Sequence, residues 1–274
     1  MEPLMKQNLR QSLKSGQKFL ACNFYNLETL QAILQAAALK KKAIILQMTQ
    51  SSIEYMGLLP AVQMARAMKE HFGVQAFLHL DHAQSLDLIQ RCLDAGFDSV
   101  MIDASEKPFD QNVALSQQVV QKARAYGACV EAELGYVAKL GQSTQKKGFT
   151  DPEQARVFVE QTGIDLLAVA IGSAHGFYKE PPKLDIERLQ AIHQATSVAL
   201  VLHGSSGIPA AQLRQAIQNG IQKINLATEI KNRFMQTLKE KLRHSNEIDL
   251  RKVFPAARQA VTDLIVHKFE ELQI

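Results

Sequence analysis

The sequence has no tryptophan and only three cysteines, Cys22, Cys92 and Cys129. Their number is odd and no pair has C-x-x-C spacing, so we expect free thiols in a reducing cytosol and no disulfide framework. No apolar run reaches the roughly 18 residues that suggest a membrane helix. The N-terminal stretch MEPLMKQNLR lacks the basic start and long apolar core of a signal peptide. These absences predict a cytoplasmic protein without a membrane partner.

The sequence also lacks a strong excess of charge of one sign, because its formal net charge is only +4. The lysines and arginines are scattered, apart from the runs at residues 40–42 and 146–147. We interpret both runs as solvated surface and expect no nucleic-acid partner. The second run can still attract an anionic substrate if its loop lies near a site.

Short apolar runs alternate with longer amphipathic stretches along the whole chain, and apolar residues make up 46% of it. Each run has about seven residues and is rich in Val, Ile, Leu and Ala. Continuous apolar character is typical of parallel strands that are covered on both faces. The predicted strands are residues 19–25, 43–49, 76–82, 99–105, 128–134, 166–172, 198–204 and 221–227.

A repeated helix–glycine–strand unit indicates the fold class. The glycines that precede strands by two or three residues are Gly73, Gly96, Gly127, Gly163 and Gly220. Glycine can take the left-handed conformation that ends a helix. Eight such units without a break in composition predict an α/β protein, a (β/α)8 TIM barrel forming one domain over residues 1–274. A doubly wound sheet is the alternative, but no GxGxxG follows the first strand.

The last third of the chain is mostly helical, in two long amphipathic runs at 227–244 and 249–272. These runs exceed what one closing helix of a barrel needs. We therefore predict additional C-terminal helices, used for extra packing or for an oligomer contact.

Polar residues gather at the carboxyl ends of the predicted strands, which is where a barrel of this kind builds its active site. They are Asn23, Thr49, Asp81, His82, Asp103, Glu131, Glu133, His175, His203, Asn225 and Thr228. One polar residue at a strand end could arise by chance. Such residues at every strand end predict a site.

Three of these residues, His82, His175 and His203, can form a metal triad. Three neutral imidazoles leave an open position on Zn²⁺ for a substrate, which is the catalytic arrangement. The gaps between them are long and match no short metal motif, so the spacing alone leaves two interpretations open. In the second, each histidine is a satisfied polar residue at its own strand end.

Two turns rich in small and polar residues follow the last two predicted strands. The first, HGSSGIP at 203–209, offers glycines for close backbone approach and two serine hydroxyls. The second, NLAT at 225–228, opens the next helix. Phosphate sites in this fold often form after strands seven and eight at a helix N-terminus. We favour a phosphate site here over ordinary tight turns.

Taken in order, several motifs resemble the class II, zinc-dependent ketose-bisphosphate aldolases. They are LHLDH, SVMIDAS, VEAELG, GIDLLAVAIGSAHGFY, PKLD, LVLHGSSGIP and KINLATEIK, and they extend over nearly the whole chain. The overall sequence looks most similar to the tagatose-1,6-bisphosphate aldolase branch, with the fructose-1,6-bisphosphate aldolases next.

The resemblance implies a role for each residue of the site. His82, His175 and His203 would bind one catalytic Zn²⁺ per chain, and Asp81 would be the acid/base at the C4 oxygen. Asp103 and Glu133 would lie where a second or displaced metal ion can bind. The residues implied to bind substrate are Thr49, Gly176, Gly204, Ser205, Ser206, Asn225, Leu226, Ala227 and Thr228.

The implied reaction is reversible aldol cleavage of a ketose 1,6-bisphosphate to dihydroxyacetone phosphate and glyceraldehyde 3-phosphate. Zinc would stabilise the enediolate, and no Schiff-base lysine is required. The resemblance further implies a monovalent cation, Na⁺ or K⁺, at the carbonyls of Gly176 and Gly204. It implies a homodimer or homotetramer, and in some relatives of the tagatose branch a helper subunit.

The sequence departs from the family in the loop at 136–148. Relatives carry there a glutamate, within Gly-Gly-x-Glu-Asp, that moves the C3 proton, whereas this loop has three lysines and no Asp or Glu. Tyr136, Glu133 or a water molecule are the candidates to replace that glutamate. Two alternatives to an active aldolase remain open: a non-catalytic or altered-substrate relative that binds metal and sugar phosphate, and an unrelated metal-dependent barrel hydrolase. No residue decides between the fructose and tagatose epimers.

Overall fold

Eight parallel strands close into a barrel in this computed structural model, which describes residues 18–139, 148–178 and 182–274. The order around the barrel is β1-β10-β9-β7-β5-β4-β3-β2, and β1 pairs with β10 to close it. The barrel strands are β1 (Phe19–Asn23), β2 (Ile44–Thr49), β3 (Ala76–Ala83), β4 (Ser99–Ile102), β5 (Cys129–Leu134), β7 (Leu166–Val169), β9 (Ala199–Leu202) and β10 (Ile221–Leu226). The predicted barrel is confirmed.

The described part of the chain has ten helices, most of which cover the outside of the barrel. They are α1 (Leu27–Lys40), α2 (Gln50–Met56), α3 (Leu58–Phe72), α4 (Leu86–Asp94), α5 (Phe109–Tyr126), α6 (Pro152–Thr162), α7 (Ile186–Ala195), α8 (Ala210–Gln218), α9 (Thr228–Arg243) and α10 (Leu250–Leu272). Among these, no helix combines the length and apolar character needed to cross a membrane.

The additional C-terminal helix is α10, which packs along α9 and α1. The ion pair between Lys40 and Glu270, with 2.8 Å between nitrogen and oxygen, joins the end of α1 to α10. The chain therefore returns after the eighth barrel strand to cover the first helix. This confirms the predicted C-terminal helices.

The five glycines before the strands all have positive φ, between 60° and 119°. Gly73, Gly127 and Gly163 are themselves left-handed helix C-caps. The predicted helix–glycine–strand unit is thus the local structure.

Two short strands lie outside the barrel and were not predicted, β6 (Ala138–Lys139) and β8 (Ala174–His175), which pair with each other in parallel. A two-residue strand has too few side chains to show periodicity. This small ladder matters because β8 carries His175.

The inward-facing residues change from apolar to polar along the barrel. Successive side chains of a strand face opposite sides, so residues two apart share a face. The amino-terminal half of the interior is an apolar cluster that includes Phe19, Ile45, Phe77, Cys129 and Val201. The next inward positions towards the carboxyl ends carry the polar residues Asn23, Gln47, His79, Asp81, Glu131, Glu133, His203, Lys223 and Asn225, all buried. Apolar side chains therefore fill the amino-terminal end of the barrel interior, and the polar side chains lie together at the carboxyl-terminal end.

Candidate active site and metal centre

The three histidines predicted as a triad come together at the carboxyl end of the barrel. His82 lies near the end of β3, His175 ends β8 and His203 follows β9. One ring nitrogen of each lies within 4.8 Å of the corresponding nitrogens of the others. Nε2 of His82 and Nδ1 of His203 are 2.8 Å apart. The interpretation in which each histidine stands alone at its strand end does not describe this geometry.

An unusual backbone conformation lets two consecutive residues serve the same cavity. In a regular strand Asp81 and His82 would point to opposite faces. His82, however, has φ of +51°, and the pairing of β3 with β4 shifts register between Leu80 and Ala83. As a result both side chains line the cavity. A left-handed non-glycine residue is costly and is typical of functional sites.

Carboxylates contact two of the imidazoles at the ring nitrogen that faces away from the histidine cluster. Oδ2 of Asp103 lies 2.8 Å from Nδ1 of His82, and Oε1 of Glu131 lies 2.8 Å from Nε2 of His203. Burial alone would lower the pKa of His82, but the carboxylates of Asp81 and Asp103 raise it to about 9. In His203, burial and the neighbouring positive charge of His82 keep the pKa well below its usual value. The nitrogens left facing the cluster are those that a metal ion would use.

A second group of potential metal ligands shares His82. His82, Asp103 and Glu133 offer ligand atoms within 4.8 Å of one another. Oε2 of Glu133 is buried, has no hydrogen-bond partner among the described residues, and lies 3.6 Å from Nδ1 of His203. Burial raises the pKa of Glu133 to about 8. An orphaned buried carboxylate oxygen is costly, and a cation in this group would satisfy it.

Asp81 is the carboxylate that faces the cavity beside the histidines. Asn23 donates an amide hydrogen bond of 2.9 Å to it, and Asn225 donates a second of 3.4 Å. Burial by itself would raise the pKa of Asp81, but His82, His203 and Lys223 outweigh burial and lower that pKa. Asp81 is therefore ionised near neutral pH and able to accept a hydroxyl proton.

Small residues also line the cavity, whose volume is about 250 Å³. Gly204, Ser205 and Ser206 approach the start of α9, where Ser206 accepts a 3.2 Å hydrogen bond from the Glu229 N–H. The N-cap residue of α9 is Ala227, whose methyl group cannot accept the free N–H groups of the first turn. Such N–H groups bind anions well.

Most of the predicted substrate-binding residues line this cavity, and one does not. Thr49, Gly176, Gly204, Ser205, Ser206, Asn225, Ala227 and Thr228 are among the lining residues. Leu226, in contrast, packs its side chain into the core between barrel and helices. Its side chain alternates away from the interior on β10, so only its backbone can face a ligand.

Sequence reasoning missed three lining residues, Tyr25, Ser51 and Lys231. Nζ of Lys231 lies 5.3 Å from the centroid of the Tyr25 ring, a distance at which a cation and an aromatic face attract. Lys231 stands three residues after Thr228 on α9, hence on the same side of the helix. That spacing from the NLAT turn is the signal that could have identified it.

Two predictions concern the loop and the monovalent cation. In the acid-free loop at 136–148, residues 140–147 lie outside the described part. At the ends of this loop the N–H of Tyr136 donates to the Gly148 carbonyl at 2.7 Å.

The Gly204 carbonyl, which is an expected ligand of the monovalent cation, accepts a 2.8 Å hydrogen bond from the Tyr178 hydroxyl. A carbonyl has two lone pairs, so the cation site stays a prediction.

A closed parallel barrel with a histidine cluster at the carboxyl ends of its strands is the architecture of a barrel enzyme. The family model for class II fructose-bisphosphate aldolases matches residues 4–274, and the chain belongs to this family. It is 39% identical over 273 residues to a fructose-bisphosphate aldolase of Geobacillus stearothermophilus. That alignment covers 97% of this chain and 95% of the relative. The predicted family is confirmed.

Two solved structures share the fold over nearly their whole length. The crystal structure of the YdjI aldolase from Escherichia coli K12 matches with a TM-score of 0.87 and 32% identity, covering 99% of this chain and 97% of that one. The fructose-bisphosphate aldolase of Campylobacter jejuni matches with a TM-score of 0.83 and 21% identity, covering 98% and 94%. The second likeness shows the fold alone.

Proposed function

We propose that the protein catalyses metal-dependent, reversible aldol cleavage of a ketose 1,6-bisphosphate, of the tagatose or the fructose series, to dihydroxyacetone phosphate and glyceraldehyde 3-phosphate. The observation that carries this proposal is one cavity lined by Asp81, His82, His175 and residues 204–206, with Nδ1 of the buried His203 2.8 Å from Nε2 of His82. Residues 1–274 act in it as one catalytic domain.

The donor set suits zinc. Imidazole nitrogens are zinc ligands, and three protein ligands leave the position that a catalytic site keeps for its substrate. His82, His175 and His203 would hold the ion, with Asp103 and Glu133 available to a second or displaced one. Bound there, Zn²⁺ would act as a Lewis acid that stabilises negative charge on the ketose oxygens. Imidazoles held by carboxylates behind them are what such a site needs.

Asp81 takes the proton of the C4 hydroxyl when the C3–C4 bond breaks, and returns it in the aldol direction. Two asparagine amides hold this carboxylate in place. They leave it directed into the cavity beside His82, where a substrate hydroxyl can lie. Because its pKa is lowered, the ionised form is available over the whole neutral range.

The phosphate of the dihydroxyacetone half binds at the cradle formed by Gly204, Ser205, Ser206 and the start of α9. Two hydroxyl groups there already have assigned roles, since Ser205 donates to the Asn225 carbonyl and Ser206 accepts from the helix. The anion would therefore rely on backbone N–H groups and on Thr228. A phosphate fixed there keeps the reacting carbons in register with Asp81.

We assign no single residue to the transfer of the C3 proton, because the loop at 136–148 has no Asp or Glu. Tyr136, Glu133 or a water molecule remain the candidates. The same observation favours a second function, that of a non-catalytic or altered-substrate relative that binds metal and sugar phosphate. We infer a homodimer or homotetramer for either function, with a helper subunit as a further option for the tagatose branch.

Two substitutions test the proposed roles separately. His203→Ala should abolish zinc binding and cleavage together, because it removes a ligand. Asp81→Ala should retain one zinc per chain and lose cleavage by a factor of about 10²–10⁴, the usual contribution of a positioned acid/base. Metal content is measured after dialysis, and cleavage by release of dihydroxyacetone phosphate. Retained cleavage in Asp81→Ala would remove the role given to it.

A further inference from the structure

A line of buried polar side chains crosses the barrel interior behind His203. Nε2 of His203 lies 2.8 Å from Oε1 of Glu131, and Oε2 of Glu131 lies 2.8 Å from Nζ of Lys223. Lys223 then approaches Nε2 of His79 at 3.5 Å, and Nδ1 of His79 lies 2.9 Å from the Ser99 hydroxyl. All five side chains are fully buried. Burying an ammonium and a carboxylate is expensive, so this line calls for an explanation.

Neither charged member of the line touches the cavity. Glu131 and Lys223 are both fully buried and are not among the residues that line it. They also come from strands that are not neighbours in the sheet, since β5 pairs with β4 and β7 while β10 pairs with β9 and β1. Their contact therefore spans the barrel interior. The link that reaches the site is the one between Glu131 and His203.

The chemistry of the groups fixes the direction of every hydrogen bond. An ammonium only donates, and a carboxylate only accepts. Glu131 therefore accepts from Lys223 with one oxygen and from the N–H at Nε2 of His203 with the other. A neutral His203 then has no proton on Nδ1, the nitrogen that faces His82 at 2.8 Å. The line thus selects the tautomer of His203 whose free lone pair points into the histidine cluster.

We propose that Glu131, held in place by Lys223, is a positioning residue that fixes His203 in the metal-binding tautomer. This inference rests on the metal site of the proposed function and assigns the buried ion pair a role in it. Lys223 controls which way Glu131 presents its oxygens, and Glu131 controls which nitrogen of His203 is free. Partners of this kind typically change metal affinity by about 10–100-fold.

The test uses Glu131→Gln, which keeps the shape but adds a donor. Lys223 still requires an acceptor, so the amide oxygen faces Lys223 and the NH₂ group faces His203. That NH₂ donates to Nε2, and the proton of His203 moves to Nδ1, where it blocks metal binding. Zinc affinity, measured by competition with a chromophoric chelator, should fall about 100-fold.

The double variant Glu131→Gln/Lys223→Met separates tautomer control from damage to the core. Without the ammonium, the amide can turn its oxygen towards His203 and restore the original tautomer. Zinc affinity should then recover by at least about tenfold relative to Glu131→Gln, although another polar contact has been removed. The control Ser99→Ala breaks the far end of the same buried line and should leave zinc affinity unchanged.

The tautomer can be measured directly in the metal-free protein by ¹⁵N NMR of the imidazole nitrogens. The wild type and the double variant should carry the proton of His203 on Nε2, and Glu131→Gln should carry it on Nδ1. A wild-type proton on Nδ1 would overturn the inference, as would a Glu131→Gln variant with wild-type zinc affinity. Equal losses in Ser99→Ala and Glu131→Gln would also overturn it. A wild type that binds no zinc would instead refute the metal site of the proposed function, while the NMR result still decides the role of Glu131.

Discussion

Single residues at the strand ends determine what this barrel can do. His82 alone takes a left-handed backbone inside β3, and this conformation brings its imidazole to the same cavity as Asp81. Asn23 and Asn225 then orient the carboxylate. The roles proposed for this dipeptide, a base and a metal ligand, depend on that conformation, because a strand with regular alternation could not present both side chains to one cavity.

Some of these residues could be predicted from the sequence and others could not. Asp81, His82 and His203 end clear apolar runs, so their place at the mouth of a barrel follows from the fold. The roles proposed for Lys231 and Glu131 depend on contacts with residues far away in sequence, Tyr25 and Lys223. Such contacts depend on strand register and helix rotation, which local patterns do not specify.

Lys231 yields a prediction at the residue scale. No carboxylate among the described residues pairs with it, and it lines the cavity beside Thr228. Lys231→Met should raise KM for an anionic sugar phosphate about tenfold, since a charge-assisted hydrogen bond contributes about 1.5 kcal/mol. The matched control is Lys239→Met, an exposed lysine on the same helix but outside the cavity. An unchanged KM in Lys231→Met would exclude Lys231 from substrate binding.

At the scale of elements, the small ladder of β6 and β8 positions the third histidine. Tyr178 joins this ladder to the turn after β9, because its hydroxyl accepts from the Ala174 N–H at 2.6 Å and donates to the Gly204 carbonyl. Gly204 must lie very close to Ala174 for this to happen. The ladder is too short to predict, whereas the barrel strands and their preceding glycines have enough residues to be recognised.

The close approach predicts the effect of Gly204→Ala. A Cβ at Gly204 would lie 2.4 Å from the Ala174 carbonyl oxygen, and φ at this residue is +65°. We expect overpacking to lower the free energy of unfolding by about 1–3 kcal/mol, in addition to the cost of the left-handed conformation. Gly73→Ala is the matched control, because φ there is +60° and an added Cβ would meet no atom within 4 Å among the described residues beyond its chain neighbours.

Chemical denaturation measures both variants. Gly73→Ala should lower the free energy of unfolding by only about 1–2 kcal/mol, the cost of placing an alanine in the left-handed conformation. Gly204→Ala should also weaken zinc binding, since the displaced Ala174 carries His175 with it. Equal costs for the two variants, with zinc affinity unaffected, would mean that the turn is not a structural support of the site.

At the scale of the whole molecule, the apolar core of the barrel interior and the candidate site occupy different halves of it. The amino-terminal half of its interior is filled by apolar side chains, and the carboxyl-terminal half contains the buried polar groups and the cavity. The alternation of apolar runs and helices predicted this architecture. The sequence could not predict the contacts across the interior, such as the pair of Glu131 and Lys223, because they require the closed barrel.

The central claim is metal-dependent cleavage of a ketose 1,6-bisphosphate, and one assay tests it most directly. Zinc-loaded protein is given fructose 1,6-bisphosphate and tagatose 1,6-bisphosphate side by side, with release of dihydroxyacetone phosphate as the measurement and a chelator-treated sample as control. We predict chelator-sensitive cleavage of at least one of the two sugars, and the faster one identifies the preferred epimer. Absence of cleavage of both sugars by protein that holds one zinc per chain would contradict the account and favour the altered-substrate or binding role.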